Sequence, residues 1–392
     1  MNLLDGLLVV GAIVYALSGY HQGFVVGAAS TAGLLAGGLV GVKTTPVLLD
    51  SFHPGLRVSF AALLVVLIAA FVGQGLGAFL GGRVRTGLTW RPARVLDALS
   101  GSALSVSAML LIAWVLGVAV SGVQVRALNQ EVRTSVVLRT VDAVLPGGSD
   151  GVLSAFNSLV DSSRFPRYLE PFAPERIKDV PPPSRGIARR PAVTAAKDSV
   201  VKVLGAAPAC GRNLEGSGFV YQDGRVMTNA HVVAGVNDPI VRLADVDYPA
   251  QVVYYDPDVD VAVLDVADLG APALRFADPA ESKDPAVVLG FPENGPYDVQ
   301  PARVRDVQTL RSPDIYGDGT VYRDAYSVYA LVRQGNSGGP LVDRHGAVLG
   351  VVFAASVTDA RTGYALTADE LEAAATTGAS STSPVDTGDC TA

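Results

Sequence analysis

The chain has 392 residues, a formal net charge of -7, 49% hydrophobic residues and only 17% charged ones. A soluble domain usually carries about 25% charged residues. The deficit, with a mean hydropathy of +0.35, excludes a wholly soluble or disordered protein, and the acidic balance excludes a general nucleic-acid binder. Two cysteines exclude a disulfide-rich scaffold and an all-cysteine zinc site.

These averages conceal a break. Residues 1–124 carry six basic side chains (Lys43, Arg57, Arg83, Arg85, Arg91, Arg94) and three acidic ones (Asp5, Asp50, Asp97), net +3. The remaining 268 residues are net -10. A membrane part followed by a soluble part explains the shift. Four apolar stretches, Leu3–Tyr20, Gly23–Val42, Val58–Leu80 and Leu99–Val120, are each long enough to cross a hydrocarbon core of about 30 Å as a helix. The first lacks the basic leading region of a signal peptide and reads as a membrane helix. Arg83, Arg85, Arg91 and Arg94 lie between the third and fourth spans. The positive-inside rule puts that loop in the cytoplasm and everything after the fourth span outside.

Glycines recur four apart, at Gly33, Gly37 and Gly41 and again at Gly73, Gly77 and Gly81, a spacing that lets helix backbones approach closely. The spans hold too few ionisable side chains for a transport path. Asp5, at the start of the first span, is expected to face water. Asp5, the turn His21-Gln-Gly-Phe24 and the run Arg94-Val-Leu-Asp-Ala-Leu-Ser-Gly101 resemble the CvpA (colicin V production) membrane family, which implies an anchor in the lipid bilayer.

Residues 121–170 place apolar side chains (Val132, Val136, Val137, Val141, Val144) at helical intervals before a break at Pro146-Gly-Gly148, and read as short helices outside the membrane. Six prolines between 171 and 191 predict an extended spacer, with Arg185, Arg189 and Arg190 as proteolytic targets. The expected division is 1–124 transmembrane helices, 125–192 stalk and proline-rich linker, and 193–392 a globular domain.

From Ser199 onward, short alternating strands are punctuated by glycine and proline. Twelve are predicted: Ser199–Leu204, Gly218–Tyr221, Val226–Asn229, Ile240–Leu243, Gln251–Tyr255, Val259–Val266, Ala286–Leu289, Ala302–Val307, Tyr322–Val328, Pro340–Asp343, Val348–Val352 and Thr362–Ala365. A helix is predicted at Ala368–Ala375. This pattern suits an all-β double barrel or sandwich.

Three segments carry chemistry: Thr228-Asn-Ala-His231, Asp258-Val-Asp260, and Gln334-Gly-Asn-Ser337-Gly-Gly-Pro340. A serine hydroxyl needs a base to become a nucleophile. Glycines around Ser337 allow a sharp turn that points the amides of Gly335 and Ser337 at one spot, as a developing oxyanion requires. Taken alone, the segment is also ordinary turn chemistry. His231 is one of four histidines and follows a predicted strand. Asp260 opens an alternating run, with Asp258 as its rival on the same strand face; Asp256, in a turn, and Asp265, on the opposite face, fit less well. His345 sits in a hairpin turn. Gly335-Asn-Ser-Gly-Gly339 also fits the Gly-x-Ser-x-Gly elbow of α/β-hydrolases, but that elbow needs a following helix and the order Ser, Asp, His. Here a proline and a strand follow, and the order is His231, Asp260, Ser337.

Together the segments resemble trypsin-like serine proteases, closest in spacing to the HtrA group. The resemblance implies a chymotrypsin-like double β-barrel with His231 as general base, Asp260 orienting it and Ser337 as nucleophile. It also implies an oxyanion hole from the amides of Gly335 and Ser337, and no cofactor or metal. Asn336 replaces the aspartate that trypsin-like zymogens use for activation, and the 55 residues after Ser337 leave no room for a PDZ domain. Motif alignment places the S1 pocket near Leu331 and Val352-Phe353-Ala354, with no acid six residues before the serine, which suits a small or medium apolar P1 residue.

The combination of anchor and protease resembles the MarP-like family of actinobacterial membrane-anchored periplasmic serine proteases. That implies a multi-pass protein of the cytoplasmic membrane whose protease domain acts outside on envelope proteins in acid stress, with autocleavage in the linker. Cys210 and Cys390 would pair in an oxidising compartment, pinning a Ser/Thr/Gly-rich tail. The alternatives are a protease fold kept as a silent sensor or binding module, and a transporter-like protein with an accessory domain.

Overall fold

The computed structural model describes residues 2–49, 56–121, 126–145, 175–317, 319–356 and 358–391. The expected break at Pro146-Gly-Gly148 lies outside the described residues. The chain divides into two compact units, Met1–Leu116 with Ser135–Val141, and Gly117–Thr134 with Asp142–Ala392.

The first unit is helical. The helices, in chain order, are Leu3–Gln22 (α1), Phe24–Leu49 (α2), Leu56–Thr86 (α3), Arg91–Ser121 (α4), then Arg126–Thr134 (α5), which belongs to the second unit, and Val136–Val144 (α6). The first four contain stretches long and apolar enough to cross a membrane. Each runs past its apolar stretch, because hydropathy marks the lipid-matching segment and not where the backbone hydrogen bonds stop. α4 begins with Arg91-Pro92, and proline is tolerated in a first turn, where its missing N–H has no intrahelical partner.

The glycine rows join α2 to α3. A Cβ on Gly33 or Gly37 would run into the carbonyls of Gly73 or Ala69, and one on Gly77 into that of Ala29. Asp5 and Asp97 serve structure. Asp97 pairs with Arg85 at 2.8 Å and accepts from Val25 N at 2.9 Å, tying α4 to the ends of α3 and α2. Asp5 does not face water as expected. It is fully buried and accepts from Ser135 Oγ at 2.6 Å, Val136 N at 3.2 Å and Val137 N at 3.1 Å, capping the start of α6. A carboxylate there satisfies helix amides that have no intrahelical partner.

Among its described residues, the second unit carries thirteen strands. Val200–Ala207 (β1), Arg212–Gln222 (β2), Arg225–Thr228 (β3), Ile240–Leu243 (β4), Val246–Pro249 (β5), Gln251–Asp256 (β6) and Val261–Asp265 (β7) form an antiparallel sheet in the order β5-β4-β1-β2-β3-β7-β6. Pro285–Gly290 (β8), Asp298–Pro313 (β9), Thr320–Tyr329 (β10), Pro340–Val342 (β11), Val348–Ala355 (β12) and Thr362–Thr367 (β13) close a barrel in the order β10-β13-β12-β11-β8-β9. This is the chymotrypsin-like β-barrel architecture expected from the sequence. All twelve predicted strands are present. β5 was not predicted, because its sequence Val-Asp-Tyr-Pro is exposed and contains proline, which suits an edge strand only.

Strand alternation builds three apolar clusters. One fills the first sheet, with Val201, Val203, Val220, Val226 and Leu264. Another fills the barrel, with Val288, Val304, Val328, Leu341 and Val352. A third draws on both, with Phe219, Met227 and Val263 beside Val287, Leu289, Phe353 and Leu366. In β8, Val287 and Leu289 face the shared cluster while Ala286 and Val288 face the barrel interior, the period of two that a pleated strand imposes.

Two expectations change. The segment read as an extended spacer packs onto the protease body in its later part: Val180 and Ile187 are buried, the latter in the shared cluster. Pro191 opens a helical turn, Pro191–Ala195, since its fixed φ suits a first helical position. The C-terminal helix is Glu372–Ser380 and not Ala368–Ala375. The tail after it is held by main-chain bonds from Val385 N to Val252 O at 2.9 Å and from Gly235 N to Thr387 O at 3.2 Å, and by Thr387 Oγ1 donating to Val236 O at 3.1 Å.

Phe219 stacks edge-on to Phe276, with centroids 6.4 Å apart, and has no exposed surface. Phe219→Ala is expected to destabilise the protease unit by about 3–5 kcal/mol, read as a lower urea midpoint for loss of near-ultraviolet circular dichroism. A change below about 1 kcal/mol would show that the shared cluster does not hold the two sheets together.

Candidate active site

The site is built where the first sheet meets the turn before β11. β3 ends at Thr228, Asn229 adopts an extended conformation, and a single helical turn, Ala230–Val233, carries His231. Asp260 lies at the end of the turn that precedes β7, fully buried and with φ +68°. A left-handed backbone is rare outside glycine but best tolerated by Asp and Asn. Its carboxylate receives three contacts from one residue: His231 N at 3.0 Å to Oδ1, and His231 Nδ1 at 3.0 Å to Oδ1 and 2.9 Å to Oδ2. Asn229 Nδ2 donates to Asp260 O at 2.8 Å, so both ends of the aspartate are tied to the histidine turn. With Nδ1 against a carboxylate, the neutral ring carries its proton there and leaves Nε2 as an acceptor.

The turn around Asp260 is itself fixed. Asp256 Oδ1 accepts from the amides of Asp258 and Val259, each at 3.0 Å, and Asp256 O accepts from Asp260 N at 3.0 Å. The buried Arg323 of β10 donates to Asp258 O at 2.6 Å. The rival Asp258 is exposed, contributing its carbonyl and not its carboxylate. Nearby, Tyr255 and Tyr316 share a hydrogen bond of 2.7 Å. Burial, then that bond, pushes the Tyr255 phenol well above the usual tyrosine range, so it stays neutral.

Ser337 is buried to 4% exposure in the turn between β10 and β11. Its carbonyl accepts from Ser217 N at 2.7 Å, joining the turn to β2. Gly338 (φ +80°) lies so close to Thr228 and Asn229 that a Cβ would meet Thr228 Oγ1 and come within 3.2 Å of Asn229 N. Only glycine fits that approach and that φ. The serine turn therefore packs directly on the residues leading into His231. Within it, Asn336 N donates to Arg333 O at 3.0 Å, Gly338 N to Val352 O at 2.9 Å and Gly339 N to Asn336 O at 2.9 Å. Among the described residues, the amides of Gly335 and Ser337 donate to no carbonyl. Two unengaged amides flanking a serine can receive an oxyanion.

The residues expected at S1 separate. Leu331 is 43% exposed. Val352 packs its side chain into the barrel core while its main chain pairs with Gly338 and Gly339. Phe353 and Ala354 are buried in the shared cluster. His345 is exposed in its hairpin turn.

Sequence reasoning passed over Ser217. Its hydroxyl is fully buried, donates to Gly335 O at 2.6 Å and accepts from Phe291 N at 2.9 Å. The available signal was Gly216-Ser-Gly218 inside a strand, since glycines on both sides of a strand residue mark close approach by another chain segment.

The family described as trypsin-like peptidase domain matches residues 216–351, and that described as colicin V production protein matches residues 4–146. The serine protease Rv3671c of Mycobacterium tuberculosis is 40% identical over 390 residues, spanning 99% of this chain and 98% of its own. A probable periplasmic serine endoprotease, DegP-like, of Pseudomonas putida is 33% identical over 138 residues, 35% of this chain and 28% of its own. The crystal structure of the Rv3671c protease in its active form matches with TM-score 0.55 and 47% identity, covering 58% of this chain and 100% of that one. A colicin V production-type helical region joined to a trypsin-like peptidase domain, matched over nearly the full length, places the chain in the Rv3671c family of membrane-associated serine proteases.

Proposed function

We propose that the chain is a membrane-tethered serine endopeptidase that acts outside the cytoplasmic membrane on proteins of the cell envelope, through a His231-Asp260-Ser337 triad. The observation that carries this reading is the seating of the buried Asp260 carboxylate on both the ring and the amide of His231. In the proposed cycle, His231 Nε2 takes the Ser337 proton as Oγ attacks the scissile carbonyl. The amides of Gly335 and Ser337 receive the oxyanion. His231 then gives its proton to the leaving amine, an acyl-enzyme forms on Ser337, and water activated by the same imidazole releases the second product. Asp260 holds the tautomer and stabilises the imidazolium.

The finer features belong to the same proposal. The domain division is 1–124, 125–192 and 193–392. The arginine-rich loop between α3 and α4 puts the protease domain on the periplasmic side. The linker is cut autocatalytically, S1 takes a small or medium apolar residue, and the activity serves resistance to acid and envelope stress. A Cys210–Cys390 disulfide closes the domain. In support, Arg212 Nη1 donates to Thr391 O at 3.4 Å, bringing the chain end beside the start of β2. Closing so long a loop contributes at most about 5 kcal/mol.

Ser337→Ala should abolish casein cleavage and fluorophosphonate labelling, and Asp260→Asn should lower kcat on the order of 10⁴-fold with the fold intact by circular dichroism. Labelling that persists in Ser337→Ala would remove Ser337 from the mechanism. N-terminal profiling of envelope peptides at acid pH, with wild type against Ser337→Ala, should yield new termini that depend on Ser337. Alkaline phosphatase fused after residue 391 should be active; activity of a reporter that works only in the cytoplasm would reverse the orientation. Non-reducing peptide mapping should recover Cys210 and Cys390 in one linked fragment, and two alkylatable thiols would refute the bond.

A further inference from the structure

The Gly335 amide can serve an oxyanion only if its peptide plane is held. The bond between Gln334 and Gly335 is trans, so the Gln334 carbonyl and the Gly335 N–H point in opposite directions. Glu293 N donates to Gln334 O at 2.7 Å. Whatever fixes Glu293 therefore aims Gly335 N–H the other way. Glu293 lies in the loop between β8 and β9, and it and Asn294 are both left-handed, with φ +56° and +54°. Two successive non-glycine residues in that region persist only where surrounding contacts hold them.

The holding group is Lys202 of β1. Its ammonium has three N–H donors and meets three acceptors: Asn294 O at 3.0 Å, Asn294 Oδ1 at 2.9 Å and Gly295 O at 3.1 Å. None is a carboxylate. The side chain is 9% exposed, and the ammonium also stands 5.4 Å from the Phe291 ring centroid, a cation–π distance. Lys202 is the direct cross-strand partner of Ser217. Facing residues of an antiparallel pair share one side of the sheet, and here both reach the same loops. Ser217 Oγ takes Gly335 O and Phe291 N, while Lys202 takes the carbonyls that follow Glu293.

We propose that Lys202 is a positioning residue for catalysis: it clamps the left-handed Glu293-Asn294 turn, which pins the Gln334 carbonyl and so keeps the Gly335 amide aimed at the oxyanion. This rests on the reading of Gly335 and Ser337 as the oxyanion donors. Lys202 touches no reacting atom. It acts from the first sheet on a loop of the barrel, so catalytic competence depends on a lysine 135 residues before the nucleophile.

The test is fluorophosphonate labelling of the full chain in detergent, followed to completion. Ser337 Oγ displaces fluoride from phosphorus, and its proton passes to His231. The second-order rate constant reports the oxyanion site, and the final amplitude reports the folded fraction. Lys202→Met should lower the rate constant by about 10–100-fold, less than deletion of a whole donor, while labelling still reaches the wild-type amplitude. Lys202→Arg should recover most of the rate. An unchanged rate constant, or a reduced amplitude with an unchanged rate, would overturn the proposal and leave a structural lysine. Should Lys202→Met give no labelled protein at all, Asn294→Ala decides: it removes one acceptor without touching β1, and should slow labelling by roughly 3–10-fold, whereas no slowing overturns the proposal. Ser337→Ala in parallel separates the two levels, because labelling of that variant refutes the nucleophile assignment itself and not the role of Lys202.

Discussion

A carboxylate taken out of water must find donors or give up its charge. Asp260 has no exposed surface, and it finds donors on the amide and the ring of His231. Much of the local structure exists to keep that pair together. Asp256 organises the turn that delivers Asp260, Arg323 of the barrel holds the turn by the Asp258 carbonyl, and Asn229 ties the aspartate main chain back to the histidine segment. The left-handed backbone at Asp260 is the conformational cost of turning the carboxylate inward at a strand start, and strained residues commonly cluster at functional centres such as the one proposed here.

The two sheets meet through main-chain and small-residue contacts as well as through their apolar cluster. Ser217 is the densest node. Its amide holds Ser337 O, its carbonyl accepts from Thr228 Oγ1 at 2.8 Å, and its hydroxyl links Gly335 with Phe291. A single residue of β2 thus touches the turn carrying the proposed nucleophile, the strand leading to the proposed base and the loop proposed to order the oxyanion site. Such contacts leave little room for side chains, which is why glycines crowd both sides of the junction.

The helical unit solves a similar problem by different means. In an apolar environment, Asp5 and Asp97 are covered by helix amides, a serine hydroxyl and one arginine. Asp97 bridges Arg85 and Val25 N, and Asp5 caps α6. Acids engaged in this way hold helices in register, which fits an anchor better than a transport path.

The sequence by itself determined the broad plan. Hydropathy marked four spans because lipid demands long apolar runs, and alternation marked strands because a pleat repeats every two residues. The glycine rows told of close helix approach without saying which helices meet, and His231, Asp260 and Ser337 stood out through local motifs whose order named the fold class. What stayed illegible has no local signature. Lys202 looks like any strand lysine until the chain folds and carbonyls from residues 294 and 295 converge on it. Val180 and Ile187 sit among prolines that suggest a free spacer, and only docking on the protease body reveals them as buried. The motif resemblance preferred Asp260 to Asp258, but the physical reason is tertiary: alternation gives both the same face, whereas a left-handed turn held from the opposite barrel buries one carboxylate against an imidazole and leaves the other in water.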